Sequence, residues 1–335
     1  MSDMPFVTVI MPIRNEADFI ARSLGAVLAQ DYPADRLEVL IADGMSTDAT
    51  RAIIVATARP SPIAVQVIDN PGKIVPTGWN AAFRQARGDI IVRVDGHTII
   101  APDYVRMCVA ALARTGADNV GGRMDAVGES AWARAIALAT SSPFGVGGAR
   151  FHYATGEQAV DTVYMGAWRR DVFERLGGFD ERMVRNQDDE FNYRTRAAGG
   201  TIWLSDTIRS TYYNRATLSK LARQYYQYGY YKVLVLQKHP RQMSPRQFIP
   251  AVFVAGLIVG LPLALISEPL RWLYLAAILL YVVGNLVYSV RAGAPHGLGM
   301  IARLPGVFLT LHLAYGLGFW AGVAHFYGKS GRQAA

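Results

Sequence analysis

From Phe6 to about Leu204, short runs of β-branched and apolar residues alternate with stretches whose apolar positions recur at helical spacing. Phe6–Ile13, Leu37–Ala42, Ala64–Ile68, Ile90–Val94 and Asn119–Gly122 predict strands, and Ala17–Ala29, Asp48–Ala58, Pro76–Ala86 and Tyr104–Thr115 predict helices. Strands alternating with helices imply βαβ units, hence an α/β domain with a mainly parallel sheet flanked by helices. Pro76 suits a first helical turn, where its missing N–H has no intrahelical partner to lose. Arg87-Gly88-Asp89 then turns the chain into the next strand.

Beyond Leu204 the pattern changes. Leu218–Gln237 is helical in spacing, with a tyrosine band (Tyr225, Tyr226, Tyr228, Tyr230, Tyr231) set among Lys220, Arg223 and Lys232. Tyrosines beside basic residues suit a lipid headgroup layer; an ordinary helix packed on the domain is the alternative. Phe248–Ile266 and Trp272–Val290 are nearly free of charge and long enough to cross a bilayer. Leu304–Phe326 is interrupted by Pro305, several glycines, His312 and His325, and predicts either a third span or a re-entrant segment. The expected division is therefore a catalytic domain over 1–216, an amphipathic interface region over 217–247 and a transmembrane region over 248–327.

Orientation follows from basic flanks. Lys238, Arg241 and Arg246 precede the first span, and Arg291 and Arg303 follow the second. Both groups belong on the cytoplasmic side, with Ser267–Arg271 outside. Three spans would leave Lys329 and Arg332 outside, against the same rule.

The 335 residues are 51% hydrophobic with a net charge of +8. Such charge is compatible with nucleic acid, but no zinc-finger, homeodomain or RNP signature accompanies it. It fits attraction to anionic lipid and to a phosphorylated substrate better. The single cysteine, Cys108, excludes an intrachain disulfide and a Cys-based zinc site, and reads as core packing. The N-terminal stretch has no signal-peptide pattern, so a cytosolic catalytic part is expected.

Chemistry gathers at four clusters. Asp95-Gly96-His97 follows a buried strand, at the edge where open α/β sheets bind ligands. Asp95 and His97 are candidate ligands for a divalent ion, and Gly96 lets backbone approach a ligand. Pro12-Ile13-Arg14-Asn15-Glu16 ends the first strand; Glu16 is placed to accept from ribose hydroxyls, though Asn15 as a helix cap explains the pattern equally well. In Asp43-Gly44-Met45-Ser46-Thr47-Asp48, Asp43 is a candidate acceptor from a pyrimidine N–H, and Ser46 or Asp48 a candidate cap. Gln187-Asp188-Asp189-Glu190 sets three acids in a row, whose mutual repulsion would raise one of their pKa values; stabilisation of a helix start by its dipole is the bland reading. No Gly-x-Gly-x-x-Gly or Gly-Lys-Ser/Thr loop is present, so dehydrogenase and ATPase readings lose their main support.

The ordered set Pro-Ile-Arg-Asn-Glu, Ala-Asp-Gly-Met-Ser-Thr-Asp, Val-Asp-Gly-His and Gln-Asp-Asp-Glu resembles the inverting family 2 glycosyltransferases of GT-A fold, over roughly residues 5 to 240. The longer strings around Ser141–Phe151 and Arg185–Glu190 are similar to succinoglycan-type membrane glucosyltransferases of exopolysaccharide assembly. The resemblance implies that Pro12, Arg14, Glu16 and Asp43 hold the nucleotide, and that Asp95 with His97 serves Mn2+ or Mg2+ and the diphosphate. It implies that Asp188, with Asp189 beside it, acts as base. His97 stands where the family commonly has Asp, and Gln187 where it has Glu. The processive Gln-x-x-Arg-Trp string is missing, and Arg223 occupies a comparable place as a candidate diphosphate contact.

A membrane-anchored enzyme is therefore expected, facing the cytoplasm from the inner membrane. It would move a hexose, glucose from UDP-glucose, to a polyprenyl-diphosphate-linked saccharide. Membrane lipids and further polysaccharide-assembly enzymes are candidate partners, and nucleic acid is not. A polyprenyl-phosphate sugar transferase and a non-catalytic membrane scaffold are the alternatives.

Overall fold

The computed structural model describes residues 4–214 and 217–333. In chain order the first part runs β1 (Val7–Ile13), α1 (Ile20–Leu28), β2 (Leu37–Asp43), α2 (Thr50–Ala58), β3 (Ala64–Asp69), α3 (Val75–Phe83), β4 (Ile90–Arg93), β5 (Thr98–Ile100), α4 (Tyr104–Thr115) and β6 (Asn119–Val127). It continues with α5 (Ala131–Thr140), α6 (Pro143–Val146), β7 (Glu157–Ala159), β8 (Tyr164–Arg169), α7 (Arg170–Leu176), α8 (Gln187–Ala197) and β9 (Ile202–Tyr213). Four helices close the chain: α9 (Leu218–Lys238), α10 (Ile249–Ile266), α11 (Glu268–Gly293) and α12 (Leu298–Gln333).

The nine strands form one sheet in the order β3-β2-β1-β4-β8-β6-β9-β5, with β7 also on β9. The run β3-β2-β1-β4 is parallel, as the alternating pattern requires. Every residue of β1 and β2 is buried, which is why both read as mainly apolar runs; the polar Thr8 and Glu38 within them are hydrogen-bonded to each other at 2.7 Å. Beyond β4 the pairing turns antiparallel, through β8 on β4 and β6 and through β9 on β5 and β7. The sheet is therefore mixed. Of its antiparallel members the apolar runs predict only the first part of β6; β5 and β7 have three residues each, and β9 is rich in Ser and Thr.

Apolar side chains from α1 and α4 cover one face of the parallel strands, including Ile20, Leu24, Val105 and Leu112; Cys108 is fully buried among them. A second cluster centres on Trp79, which is 0% exposed and lies 5.0–5.6 Å from the rings of Phe179, Trp168 and Phe173. Trp79→Ala should lower stability by about 3–5 kcal/mol. A thermal unfolding midpoint equal to wild type would show that the pocket collapses without cost.

The chain forms two compact units. One comprises residues up to Asp125 together with Arg150–Tyr213; the other comprises Ala126–Ala149 and the chain from Asn214 onward. The glycine- and aromatic-rich stretch 141–156 is thus divided between them. Within the helical unit, Phe144 of α6 packs against Tyr288 (4.9 Å, stacked), Phe308 (5.1 Å) and His312 (5.0 Å). Ala135, Ile136 and Ala139 of α5 join Leu304, Val307 and Leu311 of α12 in one cluster. Among the described residues three helical segments are long and apolar enough to cross a membrane: Pro245–Ile266, Glu268–His296 and Leu298–Tyr327.

Candidate active site

Three of the four polar clusters sit beside a non-glycine residue with positive φ: Asn15 (53°) after β1, Met45 (57°) after β2 and Asn186 (62°) just before α8. Left-handed backbone at such residues is held by its surroundings, and it concentrates where side chains must be aimed. Asn15 does not cap α1, which starts at Ile20 after Phe19. Its Oδ1 instead accepts from Thr47 N (2.9 Å), and its own N–H donates to Ser46 Oγ (2.8 Å). The turns after β1 and β2 are tied together by these bonds. Asp48 Oδ1 accepts from Thr50 N (3.1 Å) beside the first turn of α2, while the cap position itself is Ala49.

Pro12 is buried within β1, opposite Ala42 of β2. Arg14 is exposed, and its aliphatic stem lies against Gly44. Asp43 is 0% exposed: its carboxylate accepts from the Ser46 hydroxyl and backbone N–H and from Arg51. Much of its acceptor capacity is committed to fixing this loop.

The turn after β4 meets the turn after β1. A Cβ on Gly96 would come within 2.9 Å of Ile13 Cγ2 and 3.0 Å of Glu16 Cγ, so a larger residue is excluded there. His97 Nδ1 lies 3.2 Å from Glu16 Oε1. This pairing holds the imidazole as an Nδ1–H tautomer and leaves Nε2 as the basic nitrogen. Carboxylate-oriented imidazoles of this kind are the usual arrangement of metal-binding histidines. Tyr212 closes the other side of the His97 ring at 5.2 Å.

Sequence reasoning missed Arg93. It ends β4, is 6% exposed, and sets Nε 2.8 Å and Nη2 3.4 Å from the two oxygens of Asp95. Its Nη1 is buried without a hydrogen bond and lies 3.9 Å from Asp188 Oδ2. One guanidinium thus stands between the metal-motif carboxylate and the carboxylate assigned as base. Burial opposes its charge, but Asp95 and Asp188 outweigh that and raise its pKa. The only hint in the sequence is a charged residue inside an otherwise apolar strand.

Asp188 and Asp189 occupy the first turn of α8. Asp188 keeps 33% of its side chain exposed, and its carboxyl pKa is raised by burial, with Arg93 pulling it down and Asp189 pushing it up. Glu190, the third acid, is 0% exposed and bound to Arg194 at 3.0 Å; it belongs to the packing of α8. The run of acids is therefore resolved by separate cationic partners for Asp188 and Glu190. Asp43, Asp95 and Asp188 all lie in the first unit, while Arg223 belongs to α9 in the helical unit.

Among the described residues no group of three or more His, Cys, Asp or Glu side chains forms a ready-made metal cage. Asp95 and His97 fit an ion held jointly with phosphate oxygens, the usual habit of Mg2+ at nucleotide sites.

A half-parallel, half-antiparallel sheet with polar clusters on the turns after β1, β2 and β4 and at the start of α8 defines a glycosyltransferase of the GT-A fold. The chain belongs to glycosyl transferase family 2, whose family model matches residues 8–177. It is 31% identical over 322 residues to the succinoglycan biosynthesis protein ExoA of Rhizobium meliloti (strain 1021), covering 95% of each chain. It is 26% identical over 327 residues to a dolichyl N-acetyl-α-D-glucosaminyl phosphate 3-β-D-2,3-diacetamido-2,3-dideoxy-β-D-glucuronosyltransferase of Methanococcus voltae, covering 96% of this chain and 98% of that one. The fold is shared with the mannosyltransferase PcManGT of Pyrobaculum calidifontis, solved in complex with GDP-Man and Mn2+ (TM-score 0.60, 21% identity, 96% of this chain and 88% of that chain). The protein is a glycosyltransferase of polysaccharide or glycolipid biosynthesis.

Proposed function

We propose that the enzyme is membrane-anchored and inverting. It transfers one hexose, glucose from UDP-glucose, to a polyprenyl-diphosphate-linked saccharide in exopolysaccharide assembly, with the catalytic unit on the cytoplasmic side. The observation that carries this reading is the Asp95–Arg93–Asp188 arrangement, which gathers two carboxylates, one of them partly exposed, around one buried cation. Likeness to ExoA supports the exopolysaccharide setting.

Asp188 takes the proton of the acceptor hydroxyl as that oxygen attacks the anomeric carbon from the face opposite the diphosphate. The new glycosidic bond forms as the bond to the diphosphate oxygen breaks, and the configuration inverts. Asp95 and His97 would hold Mn2+ or Mg2+, which would supply charge neutralisation at the departing diphosphate. Glu16 keeps His97 oriented for that task. Pro12, Arg14, Glu16 and Asp43 line the nucleoside side, and Asp189 assists at the helix start. Arg223 is assigned to the diphosphate from its place in the family pattern.

Radiolabelled UDP- and GDP-sugars offered with native lipid extract test this reading. A UDP-glucose-dependent lipid-linked product with inverted anomeric configuration is expected. A phosphodiester-linked monosaccharide would identify a polyprenyl-phosphate transferase instead. Absence of both nucleotide binding and slow donor hydrolysis would leave a non-catalytic scaffold. Asp95→Ala should weaken Mn2+-dependent UDP binding by about tenfold or more while sparing metal-free binding. Equal metal dependence in titrations of the variant and wild type would remove Asp95 from the metal motif.

A further inference from the structure

We infer that only α10 and α11 cross the bilayer, and that α12, although apolar enough to span, lies with α9 on the cytoplasmic surface. The inference rests on the membrane-bound reading and fixes its topology.

The ground is the register of α9 on α12. Leu221 packs with Leu304, Val307, Phe308 and Leu311. A Cβ on Gly318 would fall 2.0 Å from Tyr226 O, one on Gly229 would fall 2.0 Å from Tyr315 O, and one on Gly322 would fall 2.5 Å from Tyr230 O. Tyr230 reaches Phe326 at 5.1 Å. Residue numbers rise together along both helices, so they run parallel in backbone contact along most of Leu298–Tyr327. Where α12 goes, α9 must go.

The polar residues of α9 then decide the matter. Arg223 lies between Leu221 and Tyr226, which places it beside the stretch between Leu311 and Gly318, the middle of the apolar segment. Arg223 and Lys220 are both exposed. Were α12 a span, an unpaired guanidinium would face hydrocarbon near the bilayer centre, the costliest position for it. On the membrane surface Lys220 and Tyr226 meet headgroups, and Arg223 stays in polar surroundings.

The α10–α11 hairpin is less covered by the rest of the protein than α12 is. Of the most apolar windows, 17% and 11% are buried within the protein in these two helices, against 39% in α12. Leu265, Ile266 and Leu280 are 77%, 81% and 75% exposed. Two crossings also put Lys238, Arg241, Arg246, Arg291, Arg303, Lys329 and Arg332 on one side, which removes the conflict with the distribution of basic residues.

The test uses the full chain in a Cys108→Ser background with single cysteines at exposed Glu268 or Tyr327 (Glu268→Cys, Tyr327→Cys), probed with a membrane-impermeant maleimide in intact spheroplasts. Both positions must label in detergent. Glu268→Cys is expected to label in intact spheroplasts, and Tyr327→Cys only after the membrane is opened. Labelling of Tyr327→Cys from outside would restore a third span. Protection of Glu268→Cys in intact spheroplasts would overturn the crossing hairpin. Release of the wild-type chain by alkaline carbonate would defeat the membrane reading itself, separately from its topology. A reporter fused after residue 335, active only on the cytoplasmic side, checks the result without a cysteine substitution.

Discussion

Asp188→Asn should bind UDP as wild type does and lose about 10²–10⁴-fold in turnover, the usual contribution of a positioned general base. Asparagine keeps the shape of the side chain and cannot accept the proton. The first turn of α8 and the Arg93–Asp95 pair should persist, because Arg93 is held chiefly by Asp95 at 2.8 Å and only distantly by Asp188 at 3.9 Å. The pH dependence gives a second readout. Burial raises the Asp188 pKa, and a base works only when ionised, so transfer should fall as pH drops through a value above the ordinary carboxylate range. That limb should vanish from whatever activity Asp188→Asn retains. Wild-type turnover by the variant would take Asp188 out of the reaction.

Arg93→Met should be the most disruptive single change in the catalytic unit outside its apolar core. Methionine fills similar space without charge, leaving Asp95 without its fork and Asp188 beside it without the intervening cation. Breaking a buried ion pair by removing one partner costs about 3–5 kcal/mol, a large share of the roughly 5–15 kcal/mol available to a folded domain. A fall in the thermal midpoint is one expected result. A displaced pH profile is the other: Arg93 lowers the Asp188 pKa, so its loss should carry the acid limb still higher. Arg93→Lys restores charge without the two-pronged geometry and should recover only part of each effect. An unchanged midpoint together with an unchanged profile would show that Arg93 links nothing.

The parts of the molecule legible in the sequence are those whose apolar residues run together or recur at a clear spacing. The bounds of α4 coincide with the apolar spacing, and β1 and β2 differ from their runs by one residue, because both faces of these strands are covered. The polar clusters at the strand ends stood out for the same reason, as breaks in apolar runs. β9 did not, since its twelve residues alternate between buried and exposed positions and are rich in Ser and Thr. Arg93 was read as part of a strand, because its partner on α8 is remote in sequence and no spacing connects them. Segment 126–149 looked continuous with the catalytic region, yet α6 meets α12 through a hydrogen bond spanning 168 residues. Composition carries no trace of such a contact.

The Glu16–His97 contact joins the turn after β1 to the turn after β4 through a single hydrogen bond. On the roles proposed for Glu16 and His97, a ribose that displaced Glu16 would be felt at the imidazole, and an ion that fixed the imidazole would preorganise Glu16. Binding of the two ligands would then be thermodynamically linked, each changing the other's affinity by the same factor. Such coupling would distinguish a bare nucleotide from one arriving with its cation before the sugar is examined.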